Sequence, residues 1–153
     1  MINNDVLRSV RYMLAIDEEA LAAIVRLDDG EVSAAELRAY LRRDDEPGYE
    51  PCPDRLMARL LDGLIVHRRG RDESGRPRPP DSPITNNVVL KKLRVAFQLK
   101  EEDLVAILRA AGFPVSGPEV NALFRSPGHP NYRACGDQFL RNFLKSLTAR
   151  LRG

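Results

Sequence analysis

The sequence predicts an all-α fold made of two pseudo-twofold-related units of about four helices each, packed into one compact body. Three observations predict it. Displacing the 153-residue sequence by 83 positions aligns it with itself without a gap, from Asn3-Asn4 on Asn86-Asn87 to Gly70 on Gly153. Roughly one third of the aligned positions are identical, through loops as well as apolar runs, which marks a tandem duplication. Apolar residues recur at three- and four-residue spacing, and no stretch alternates with period two over a useful length. The organisation is therefore a helical repeat at 1–70, a linker at 71–85 and a second helical repeat at 86–153. A unit of this size is marginal for an independent core, so burying one unit against the other is expected.

The first helix is expected from about Asn4 to Ile16, with Val6, Leu7, Val10, Met13 and Leu14 on one face. Val89, Leu90, Leu93 and Phe97 repeat that stripe. The second carries Leu21, Ile24 and Val25, matched by Leu104, Ile107 and Leu108, and opens on acids that suit the positive end of a helix. The third opens on Ser33-Ala-Ala-Glu36 or Ser116-Gly-Pro-Glu119, each fitting a capping box, with Pro118 in the first turn where its missing N–H costs little. A longer loop follows, on which Tyr49 and Tyr132 are expected to pin it to the body. The fourth helix starts near Cys52-Pro53-Asp54 or Cys135-Gly136-Asp137 and ends among cations. Asn3-Asn4 and Asn86-Asn87 read as caps of the first helices. The linker holds four prolines, a glycine and six charges, so no regular element forms there, and mobility is expected near Gly75 to Pro80.

Composition excludes several classes. A chain that is 43% hydrophobic can bury a core, which excludes wholesale disorder. Two cysteines cannot build a disulfide-dense scaffold. No apolar run approaches the roughly 18 residues of a membrane span, and the first residues lack a signal-like pattern. A soluble cytoplasmic protein with no membrane partner is the expectation. The net charge of +2 hides an asymmetry. The first repeat has 10 basic against 14 acidic residues, and the second 11 against 5. Lys91, Lys92, Arg94, Arg141 and Lys145 thus form a candidate binding surface for phosphate backbone or an acidic partner. The same asymmetry would suit a homo-oligomer joined through acidic and basic units.

Catalytic chemistry finds little support. Cys52 and Cys135 are equivalent and each precedes a helix, where the dipole can lower a thiol pKa. No histidine is matched to either, so the expected role is a small buried residue. The two cysteines and two histidines lack zinc-ligand spacing, and no cofactor or metal is expected. The matched charges Arg11, Asp54, Arg94 and Asp137 predict a structural Arg–Asp pair in each unit. They are also the polar groups an enzyme site would draw upon.

The motifs Asn3-Asn4-Asp5-x-Leu-Arg-x-Val-Arg11-Tyr12, Asn86-Asn87-x-Val-Leu-Lys-Lys-Leu-Arg94 and Cys135-Gly-Asp-Gln-Phe-Leu-Arg141 carry a resemblance. Over essentially its whole length the chain resembles the YehS-like family of small bacterial proteins, whose function is unknown. The resemblance implies a bacterial cytoplasmic protein with an all-helical fold. It transfers no catalytic residue.

The expected function is a non-enzymatic helical binding or interaction module. The alternative is nucleic-acid binding through the basic second repeat, where Leu104 to Phe124 loosely follows a helix-turn-helix pattern. No aromatic residues interleave its cations, so single-strand stacking is not supported.

Overall fold

The computed structural model describes residues 1–71 and 83–153. Most of the 71–85 linker, including the Gly75–Pro80 stretch expected to be mobile, lies outside the described residues. The described residues form eight helices and no strands. These are α1 (Asn3–Leu14), α2 (Glu18–Arg26), α3 (Ala34–Leu41) and α4 (Asp54–Arg69), then α5 (Asn86–Ala96), α6 (Glu101–Ala110), α7 (Gly117–Ala122) and α8 (Asp137–Arg152). Two compact units result, one of Ile2–Ile84 and one of Met1 with Thr85–Gly153.

In the first unit α2 packs along α4, and α1 contacts both α3 and α4. Val6, Leu7, Val10, Leu21, Val25, Leu37, Met57, Leu60 and Leu64 are buried at this junction. In the second unit α6 packs on α7 and α8, and α5 on α8, around Leu90, Leu93, Leu104, Leu140 and Phe143. Each such side chain contributes about 1.5–3 kcal/mol of burial, which short helices of this kind require because their own propensity is marginal.

Local chemistry sets the boundaries. Asp17 caps α2 by accepting from the Ala20 N–H at 2.9 Å. Ser33–Glu36 and Ser116–Glu119 form the expected capping boxes, with Pro118 in the first turn of α7. The turn after the first helix has a left-handed residue in each unit, Ala15 (φ 53) and Gln98 (φ 52). The turn after the second does the same with Asp29 (φ 61) and Gly112 (φ 89). The asparagine pairs are not caps. Extended Ile2 precedes α1 without a side-chain cap, and the Thr85 hydroxyl caps α5 through the Val88 N–H.

One helix pair differs between the units. Gly63, inside α4, lies so near α2 that a Cβ there would stand 2.1 Å from the Ile24 carbonyl oxygen. The equivalent Ser146 of α8 donates its hydroxyl to the equivalent carbonyl, that of Ile107, at 2.9 Å. Glycine permits direct backbone approach in one unit, and serine spans a wider gap with a hydrogen bond in the other.

Candidate functional site

The feature built twice is an asparagine clamp. Asn4 is only 2% exposed. Its amide group donates to the Tyr40 and Glu50 carbonyls at 2.9 and 2.8 Å, and its oxygen accepts from the Cys52 N–H at 3.0 Å. Asn87 makes the equivalent bonds to Leu123 and Arg133 at 2.9 Å each, and to Cys135 at 2.8 Å. Asn3 donates to the Cys52 carbonyl at 3.0 Å and to Asp54 at 2.6 Å. Asn86 does the same to Cys135 at 2.9 Å and Asp137 at 2.8 Å. Each pair thus ties the start of the first helix to the end of the third, the long loop and the start of the fourth. An asparagine suits this because one planar group both accepts and donates.

The expected Arg–Asp pairs do not form. Asp54 accepts from Asn3 and from the Ile84 N–H at 3.2 Å. Asp137 accepts from the Met1 amino group and, with less effect, from Asn86, which together hold its carboxyl below the ordinary carboxylate range. Arg94 instead donates through Nε to the Leu99 carbonyl at 3.1 Å and lies 4.5 Å over the Phe124 ring. Arg11 is exposed. The reason is distance along the helix: eight residues at 1.5 Å rise set each arginine about 12 Å from the asparagine that meets the aspartate.

Cys52 and Cys135 are 6% and 7% exposed. Burial, reinforced by the Asp54 charge, pushes the Cys52 thiol up to about 12. Burial likewise pushes Cys135 to about 11, although the Arg133 cation opposes it. The dipole effect considered from sequence is therefore outweighed by desolvation. Among the described residues no three His, Cys, Asp or Glu converge as metal ligands.

Of the candidate cations, Lys91, Arg141 and Lys145 are exposed, Lys92 is half-buried, and Arg94 is turned onto its own unit. Arg141 and Lys145 are four residues apart on one face of α8, beside Gln138, whose Oε1 accepts from Arg141 at 3.2 Å. The helix-turn-helix pattern does not extend into a recognition helix. α7 has six residues, carries Glu119 in its first turn, and its Asn121 donates to Glu101 at 2.9 Å.

Sequence reasoning missed a cleft that occurs in both units, between the first helix and the long loop. In the first unit it encloses about 430 Å³ beside Asp5, Arg8, Asp44, Asp45 and Tyr49. In the second it encloses about 360 Å³ beside Val88, Lys91, Phe124, Arg125, Pro127 and Tyr132. The matched tyrosines, half-buried, line both. The signal lay in the repeat alignment: Asp5 and Asp44 fall on Val88 and Pro127, so the second cleft loses its acids.

Among the described residues, no helix is long and apolar enough to cross a membrane. No solved structure matches the chain. The chain is 49% identical, over 98% of its length and 96% of the relative's, to an Escherichia coli (strain K12) protein described as "Uncharacterized protein YehS". Residues 3–70 and 86–153, the two halves that carry the duplicated asparagine clamp, each match the family described as "Protein of unknown function (DUF1456)", and the chain belongs to that family.

Proposed function

We propose that the chain is a non-enzymatic helical binding module that offers the cations of its second repeat to an acidic partner. The observation that carries this is the divergence of equivalent surface on a common scaffold. The asparagine clamp is the same in both repeats, whereas the exposed face of the last helix is not. Arg141 and Lys145 in α8 stand where α4 has Ala58 and Asp62. A row of cations on a rigid helix raises encounter rates with an acidic surface and makes the association sensitive to salt. A bacterial cytoplasmic location fits two free, buried thiols.

Copurification from native bacterial extract tests this, comparing the full chain with a double Arg141→Glu, Lys145→Glu variant. A protein partner retained by the parent and lost by the variant supports the proposal. Fluorescence anisotropy with a duplex DNA at low salt is the companion measurement. DNA affinity that falls when Lys91, Lys92 and Lys145 are reversed replaces the protein partner with nucleic acid. Neither a partner nor DNA affinity overturns both.

A further inference from the structure

We infer that the cleft between α5 and loop 123–132 is a binding site for a small organic anion, an oxyanion carried on an apolar body, with Lys91 and Arg125 holding the charge. The inference rests on the second repeat being the ligand-bearing half. It does not require a macromolecular partner.

The comparison of the two clefts carries it. In the first unit the residues equivalent to Lys91 and Arg125 are held internally, and the cation that also lines its cleft, Arg43, stands beside Asp44 and Asp45. Arg8 pairs with Asp5 and donates to the Arg42 carbonyl at 2.9 Å. Arg42, the counterpart of Arg125, donates to the Pro47 carbonyl at 2.7 Å. In the second unit the counter-ion is gone, because Val88 occupies the place of Asp5. No described carboxylate lies within ion-pair distance of Lys91.

Arg125 is exposed and pairs with no described carboxylate. Its Nη1 approaches Nε2 of His129 at 3.4 Å. The other ring nitrogen, Nδ1, lies 3.0 Å from the Asn131 N–H. An anionic oxygen entering the cleft would take a charge-assisted bond from the Arg125 guanidinium. The counterpart of His129 in the first unit is Glu46, which carries its own negative charge there.

The remainder of the wall is apolar or hydroxylated. Val88, Phe124 and Pro127 offer surface for an apolar group, and Thr85, Ser126 and Tyr132 offer hydroxyls. At about 360 Å³ the cleft falls in the range of small-molecule sites, which combine apolar walls with a few convergent polar groups.

The test is a titration of the isotopically labelled full chain, followed by amide chemical shifts, with phenyl phosphate and with benzoate as probes. Saturable shifts confined to residues around Lys91, Arg125 and Tyr132 are expected at low millimolar probe. The response to each probe tells whether phosphate or carboxylate is the preferred oxyanion. Val88→Asp gives Lys91 the counter-ion that Arg8 already has, in a setting the first unit shows to be compatible with the fold. It is expected to weaken binding about tenfold or more, a loss of about 1.4 kcal/mol. Arg125→Gln is expected to weaken it comparably, and Lys145→Glu to leave it unchanged. Absence of shifts with both probes, or shifts indifferent to Val88→Asp and Arg125→Gln, overturns the inference. A partner still lost on reversing Arg141 and Lys145, outside the cleft, would leave the binding-module proposal standing.

Discussion

The side-chain oxygen of Asn4 accepts the backbone N–H of Cys52 at 3.0 Å, across 48 residues, and Asn87 repeats the bond to Cys135. The same two amides hold four backbone carbonyls. Removing Asn4 strands two part-buried acceptors and one buried donor. Asn4→Ala is expected to cost about 3 kcal/mol of unfolding free energy, since each abandoned buried group costs about 1–3 kcal/mol. Asn87 is less buried, so Asn87→Ala is expected to cost less. Urea unfolding of the two variants checks the order.

The buried thiols set an alkaline limit on stability. Their folded values, about 12 and about 11, lie above the ordinary 9.0. Well below pH 9 both states keep the thiols protonated and the thiols contribute no pH dependence. Above it the unfolded chain releases those protons while the folded chain retains them, so stability falls as pH rises from 9 towards 11–12. Comparing the parent with a Cys52→Ala, Cys135→Ala variant across this window isolates their share of the slope. The parent's thiols are also expected to react with a disulfide reagent at pH 8 only at the rate of unfolding.

The α2–α4 contact leaves no room for a methyl group. Gly63→Ala places a carbon against the Ile24 carbonyl and is expected to destabilise by about 2 kcal/mol or more, despite the better helix propensity of alanine. Ser146→Ala loses one hydrogen bond and is expected to cost about 1 kcal/mol. Thermal melts of the two variants give the comparison.

Ala15 holds a left-handed conformation that alanine disfavours. Ala15→Gly relieves that strain at some cost in chain entropy, for a net gain of up to about 1 kcal/mol. Asp29→Gly is expected to gain less, because aspartate tolerates this region better. Melting temperatures rising in that order support the account.

Helices and their repeat were legible because apolar spacing and capping serines act locally. Ser33 and Ser116 name their own partners three residues on. The asparagines were legible as a matched pair, but their role was not. An asparagine at a helix start satisfies its hydrogen bonds equally well as a cap or through a distant loop, and only tertiary structure decides. Arg11 and Asp54 failed as a pair for a related reason: equal spacing in both repeats shows that two residues are matched, not that they meet. The cleft was hidden because Lys91 and Arg125 are 34 positions apart and acquire meaning only when set against Arg8 and Arg42.

Tandem copies of one fold carry a hazard during folding, since a helix of one copy can dock in the place of its sibling. Gly63 guards one direction of that exchange. If α8 were laid along α2 in the place of α4, Ser146 would bring its side chain to the point where the Ile24 carbonyl admits no Cβ. The reverse exchange would leave the Ile107 carbonyl without its hydroxyl donor. Two heavy atoms of difference, the Cβ and Oγ of Ser146, thus turn two interchangeable parts into a matched pair of keys, each cut for its own lock.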